Sequence, residues 1–377
     1  MQRPTYFADL DALRFIAFLF IFLGHALDTP NADLSSTSFY QSYRTHIYTL
    51  GKTGFSFAFV LSSYINTWVI LAEREGAKGR FSPWRFYLRR ALRIWPLYFV
   101  VLFIGFTLVP YVAALAGSGY TEQAHPLWFA LFAGNFYLIE HGFTHSPIIS
   151  VLWSVSVEEQ FYIVWPFLLI LFRWHMRLLV PLLIGVFLLI TYRFQATEVN
   201  LFFHTLFLLG DIAIGALFAH WSFHGGAVFN RLVALPRWAI GSVYAAFVLS
   251  LVFYQPLFNG HIVPEPFSLM IEKLWFATLL GFIIFEQNFC GNSVLKFRSV
   301  RAFTYFGVIS YGLFCFHEIG LLVGQRLIDA LGHGSDLSWT LGAKPLIAFL
   351  LIWPMAHLSW NSFEKPFLKL KTYLRSN

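Results

Sequence analysis

Long apolar stretches separated by short polar connections run the length of this chain. They fall near residues 10–27, 54–71, 94–116, 127–139, 159–172, 178–192, 201–220, 238–256, 271–288, 303–323 and 345–362. A helix needs about 20 apolar residues to cross ~30 Å of hydrocarbon. Of these eleven candidates, 127–139 is the shortest and too short to span comfortably. The pattern therefore predicts helices throughout, with 127–139 as a re-entrant or interfacial segment.

Basic residues orient these helices. With ten spans and both termini inside, nineteen of the 26 Lys and Arg residues fall in inside segments, seven of them between Arg74 and Arg93. Arg44, Lys52, Arg193, Lys273, Arg326 and Lys344 fall outside, and Arg14 lies within the first span. Making 127–139 a full span would invert every later loop and place the basic ones outside, against the positive-inside rule. The expected fold is an all-α polytopic membrane protein. It has about ten transmembrane helices, one short re-entrant or interfacial segment and cytoplasmic termini, in the cytoplasmic (inner) membrane.

Composition agrees. Hydrophobic residues make up 58% of the 377 and charged residues 12%, against about 25% charged in a soluble domain. The 45 Phe, 17 Tyr and 13 Trp suit lipid-facing surfaces and interfacial belts. The net charge of +7 is spent on inside loops, so nucleic acid is not an expected partner. Cys290 and Cys315, with no CxxC spacing, read as packing thiols, and no metal site is expected. Asp9 and Asp11 stand at the start of the first apolar run and no small-residue cleavage site follows it, so it reads as a retained helix. No loop exceeds about 30 residues by the run boundaries, so residues 1–377 are expected to form one transmembrane domain without an appended soluble domain.

The first span carries Asp11, Arg14 and His25 among apolar neighbours. A charge at the bilayer centre costs roughly 2.5–3.5 kcal/mol or more, and ionisable residues kept there usually mark a working site. Arg14 and His25 are about 16 Å apart along a helix and within ~20° of one face, with Asp11 within ~60° of both. The alternative is a snorkelling Arg14 and a hydrogen-bonded His25.

Arg89, Arg90 and Arg93 crowd the inside end of the third span. Guanidiniums at that density suit phosphates, although topogenic clusters that bind lipid headgroups also occur there. Glu158 and Glu159 open the fifth segment on the outer side, where His25 also ends its helix. A carboxylate beside an imidazole holds its tautomer and raises its basicity. Helix N-terminal dressing, with Ser156 as the cap, is the simpler account. His317, within Ser310 to Glu318, is either a site residue or hydrogen-bonded packing. Asp211 sits between Gly210 and Gly215, which suit close helix packing.

Together these pieces resemble the acyltransferase-3 family of integral membrane O-acyltransferases. They are Leu10-Asp11-Ala12-Leu13-Arg14 with His25, and Phe57-Ala58-Phe59-Val60-Leu61-Ser62-Ser63. Next come Arg89-Arg90 with Arg93-Ile94, Pro96 and Tyr98, then Trp153-Ser154-Val155-Ser156-Val157-Glu158 with Phe161-Tyr162. Ser310-Tyr311 with His317 and Glu364-Lys365-Pro366-Phe367 complete the set, in order from about residue 7 to 370. The chain departs from the pattern at Ser63, where the family usually has Gly, and at Glu318 and Ile319, where aromatic and proline residues are usual.

The resemblance implies transfer of an acyl group, usually acetyl, from cytoplasmic acyl-CoA to a hydroxyl of an extracytoplasmic glycan or glycolipid. It assigns Arg89, Arg90, Arg93 and Arg14 to acyl-CoA, with Asp11, Arg14, His25 and Glu158 as the catalytic set. His25 is then the base and Glu158 its orienter. Trp153, Ser154, Tyr162, Ser310 and His317 are assigned to substrate. An acyl-enzyme on Ser154 is the alternative to direct transfer. An exporter of a small polar substrate, its buried charges lining a path, is the other class open to this sequence. A different membrane acyltransferase family is disfavoured because its Asn–His pairing has no clear counterpart.

Overall fold

The computed structural model describes residues 7–29, 32–76, 81–195, 201–258 and 262–371, and among them there are helices and no strands. Its helices of eight or more residues are α1 (Ala8–Ala26), α2 (Ser38–Gly76), α3 (Pro83–Phe103), α4 (Gly134–His141), α5 (Trp153–Leu171) and α6 (Met176–Gln195). They continue with α7 (Leu209–His224), α8 (Arg237–Val252), α9 (Phe267–Phe289), α10 (Arg301–Val308), α11 (Ser310–Ala330) and α12 (Lys344–Leu358). Packing divides the chain into two units. One comprises Met1–Phe81, Leu171–Glu198 and Leu206–Ser310, the other Ser82–Ile170, Val199–Thr205 and Tyr311–Asn377.

Six helical stretches are long and apolar enough to cross a membrane, or up to eight if each interrupted pair counts as one span. One pair is α7 with Ala227–Val233, bent by 94° at Gly225 and Gly226; the other is α10 with α11, broken at Ile309. The expected count of ten exceeds this for two physical reasons. α1 holds three charges in its first seven residues, and α8 has only 16 residues, about 24 Å of helix. The 127–139 segment is two short helices, Pro126–Ala130 and α4, joined through Phe132 at φ +54°. Neither is long enough to span.

The first unit is built around α2. Lipid tails are as apolar as Leu, so helices in a membrane associate through close packing and not through the hydrophobic effect. α1 meets α2 at Gly24 and Gly51, where a Cβ on Gly24 would stand 2.5 Å from the Gly51 Cα. α10 meets α1 as closely, since a Cβ on Gly307 would collide with the Asp11 carbonyl. These contacts enclose α1, burying Ala12, Leu13, Phe15, Ala17, Phe18 and Ile21. A helix surrounded by protein can carry charges that a lipid-facing helix cannot.

The second unit is organised by α3 and α5. Ser82 caps α3, accepting from the Arg85 N–H at 3.4 Å, with Pro83 in the first turn. The amide of Gln160 on α5 donates to the Phe132 carbonyl and to Asn135 Oδ1, both at 2.8 Å, while Thr205 donates to its oxygen at 2.5 Å. That network fixes the strained turn between the two short helices.

Candidate functional site

In the first unit, Asp11 is buried and accepts from the Arg14 guanidinium one turn later. Both acids of the first turn, Asp9 and Asp11, also lie where the α1 dipole favours negative charge. Arg14 borders a cavity of about 160 Å³ whose walls include Phe7, Leu10, Tyr64 and Trp68. His25 occupies the last turn of α1, its ring 6.1 Å from that of Phe55 on α2. Asp9 faces Arg298 at 3.4 Å. In the neighbouring 290–300 loop, burial holds the Lys296 ammonium below its ordinary pKa, against the pull of Glu286.

The second unit gathers the arginine cluster. Arg90 lies over two rings, its guanidinium carbon 5.4 Å from the Phe86 centroid and 5.8 Å from that of Tyr162. Two residues assigned separately from sequence thus meet across α3 and α5. Arg93 acts electrostatically on the buried carboxylate of Glu364, and Arg90 on Glu159. Arg89 is half-buried on the same helix.

The acidic pair on α5 separates in environment. Glu159 is fully buried and accepts from Trp95 Nε1 at 3.0 Å, and its other oxygen is buried without a partner. Glu158 is half-buried one turn before Tyr162. The simpler account of the pair, with Ser156 as N-cap, is not what forms. α5 starts at Trp153, and Ser156 sits inside it, donating to the Leu152 carbonyl at 3.4 Å.

Trp153 is buried against Phe202 and Phe203, ring centroids 5.2 and 4.9 Å away. Ser154 donates to the Val151 carbonyl at 3.4 Å. Buried His317 has Nδ1 2.5 Å from the Phe314 carbonyl and Nε2 3.3 Å from Glu318. Ser310 begins α11 at the break after α10. Of the catalytic set, Asp11, Arg14 and His25 belong to the first unit and Glu158 to the second, with the arginine cluster, Trp153, Ser154, Tyr162 and His317.

Sequence reasoning missed a buried charge cluster in the first unit. Lys52 and Lys273, counted as outside loop charges, lie inside α2 and α9. Lys52 pairs with Glu272 at 2.8 Å and Lys273 with Asp211 at 2.5 Å. Lys344 is likewise buried, at the start of α12. The signal available was Asp211, an acid within an apolar run.

The acyltransferase-3 family model, described as an acyltransferase domain, matches residues 7–359. A Bacillus subtilis (strain 168) protein provisionally named as the peptidoglycan O-acetyltransferase YrhL is 24% identical over 341 residues. That alignment covers 84% of this chain and 50% of the relative. The peptidoglycan O-acetyltransferase OatA of Listeria monocytogenes (serovar 1/2a) is 28% identical over 292 residues, covering 71% of this chain and 44% of the relative. An uncharacterized protein of Haemophilus influenzae is 27% identical over 182 residues, 43% of this chain and 71% of that one. The chain spans about half the length of the first two relatives. No solved structure matches it. With the family model covering nearly the whole chain, over the residues that carry the buried charges of α1 and the arginines of α3, this protein belongs to the acyltransferase-3 family.

Proposed function

We propose that this chain is a membrane O-acetyltransferase that moves acetyl from cytoplasmic acetyl-CoA to a hydroxyl of an extracytoplasmic glycan. Peptidoglycan is the acceptor class named by two relatives. The observation that carries the reading is α1: within an acyltransferase family, an apolar helix enclosed by protein pairs a buried Asp11 with a half-buried Arg14 and carries His25 in its last turn.

The thioester is already activated, so the enzyme must supply a base and an oriented, dry site. His25 takes the proton of the acceptor hydroxyl as its oxygen attacks the acetyl carbonyl. The carbon–sulfur bond breaks, coenzyme A leaves as thiolate, and the proton returns to that sulfur. Arg89, Arg90 and Arg93 hold the donor's phosphates, with Tyr162 supporting Arg90. Arg14 and its cavity receive part of the extended donor arm, and Glu158 orients the base. Trp153, Ser154, Ser310 and His317 serve the acceptor side. No metal enters this chemistry.

Counting α1 and α8 with the eight apolar elements gives ten spans, both termini cytoplasmic, in the cytoplasmic membrane. A protein lacking Cys290 and Cys315, both buried, provides the test. A cysteine at exposed His145 reacts with an impermeant thiol reagent on intact cells, and one at exposed Glu75 reacts only after the membrane is opened. The reverse labelling rejects the topology. Activity is tested by radiolabelled acetyl-CoA and isolated peptidoglycan with purified protein. No ester-linked label after prolonged incubation rejects that donor–acceptor pair.

A further inference from the structure

The buried charges of the first unit form a seam along one face of α2. Lys273 Nζ stands 2.5 Å from Asp211 Oδ2 and donates to Ser56 Oγ at 2.9 Å; Ser56 donates in turn to Asp211 Oδ2 at 3.5 Å. The adjacent residue on α9, Glu272, accepts from Lys52 Nζ at 2.9 Å and from the Tyr254 hydroxyl at 3.0 Å. Lys52 and Ser56 are one turn apart on α2, and Ser63 extends the line by donating to the Ile212 carbonyl at 2.7 Å. The Asp211 and Lys273 side chains are 0% and 3% exposed.

The same stretch of α2 serves α1 on a different face. Gly51 adjoins Gly24, Gly54 adjoins Ile21, and Phe55 lies beside the His25 ring. At about 100° and 1.5 Å per residue, sliding α2 by one position would carry Lys52 and Ser56 away from their partners. The glycine contacts hold α2 against α1. The paired charges hold it against α7 and α9, because a misplaced charge in a low dielectric is left uncompensated.

We infer that Asp211, Lys273, Ser56, Lys52 and Glu272 are positioning residues for the transfer reaction. The seam fixes the register of α2 against α7 and α9, and α2 carries the surface on which His25 is seated. This rests on the reading of His25 as the base.

The test uses the full-length protein in lipid nanodiscs, radiolabelled acetyl-CoA and isolated peptidoglycan, with turnover expressed per folded enzyme. Asp211→Leu/Lys273→Met replaces the pair without stranding a charge. Its kcat is expected to fall ~10–100-fold with the KM for acetyl-CoA unchanged, since a base misplaced by about 1 Å costs on that order. Lys273→Arg, which keeps the pair, is expected to retain kcat within about threefold, a split that lost packing alone would not produce. Lys52→Met/Glu272→Leu repeats the test at the neighbouring pair and decides the matter if the first double variant does not fold. Wild-type kcat in a folded double variant overturns the proposal, as does a Lys273→Arg protein as impaired as the double variant. His25→Ala runs alongside. If it keeps full activity, the reading of His25 fails; if it is inactive while the double variants are not, only the positioning role fails.

Discussion

Three cations of the first unit are held differently from Arg90 of the second. In the first unit charge meets charge: Arg14 on Asp11, Lys52 on Glu272, Lys273 on Asp211, each inside a helix, with the Tyr254 and Phe207 rings beside the two lysines. In the second, Arg90 is supported by the faces of Phe86 and Tyr162. A guanidinium resting on a ring uses its π face, and that contact consumes none of its five N–H donors. Charge-on-charge pairing fixes geometry and leaves little net binding capacity. Charge on aromatic holds a cation in place through its π face. The proposed function gives the first unit alignment and the second anion binding, and each proposal can be broken separately.

The largest effect is expected at His25. His25→Ala should lower turnover ~10²–10⁴-fold, the range for loss of a general base, while the protein still inserts and elutes as wild type. Near-wild-type acetylation by a well-expressed His25→Ala protein would sink the mechanism. Glu158→Gln in both backgrounds makes this a double-mutant cycle, and strictly additive losses would remove Glu158 as its orienter.

Next is the seam. Lys273→Met alone strands the Asp211 carboxylate and should destabilise the protein by ~3–5 kcal/mol, whereas the double replacement with apolar residues is close to neutral. Thermal unfolding in detergent separates the two. Equal stability of single and double variants would mean the pair does not share a desolvated charge.

A smaller effect is expected from the aromatic-supported cation. Arg90→Ala should raise the KM for acetyl-CoA ~10-fold or more, since hydrogen bonds to charged groups contribute ~1.5–3 kcal/mol. Arg90→Lys should recover only part, because lysine has neither the planar face for Tyr162 nor the fork for phosphate. Unchanged donor affinity in detergent would make the cluster topogenic.

Much of this was legible in the sequence because membrane insertion penalises charge. Asp11, Arg14 and His25 stood out against an apolar run, and the short 127–139 segment announced that it would not span. What stayed hidden required knowing neighbours far along the chain. Lys52 and Glu272 are 220 positions apart, Asp211 and Lys273 sixty-two, and a lysine near a run boundary reads as a loop residue until its partner is seen. Glu158 and Glu159 were indistinguishable because adjacent helical residues differ by ~100° in facing, and the sequence does not say which of the two facings is buried. Trp95 on another helix singles out Glu159 as the buried carboxylate.

The smallest effect is expected at Ser154, where it separates direct transfer from an acyl-enzyme. Its hydroxyl is buried and donates at 3.4 Å to Val151 in its own helical turn. A serine nucleophile needs its hydroxyl aimed at a base within hydrogen-bond reach, and Ser154 Oγ is directed at a carbonyl, which cannot take its proton. Removing one long, neutral bond costs at most about 0.5–1.5 kcal/mol, so Ser154→Ala should retain turnover within roughly tenfold of wild type. A covalent route would behave otherwise: the alanine variant would lose transfer altogether, and wild-type protein quenched in acid would carry acetyl on the peptide containing residue 154. Intact-mass and peptide analysis after incubation with acetyl-CoA alone reads that outcome directly. A labelled Ser154 would move the first chemical step into the second unit and leave His25 to activate the acceptor.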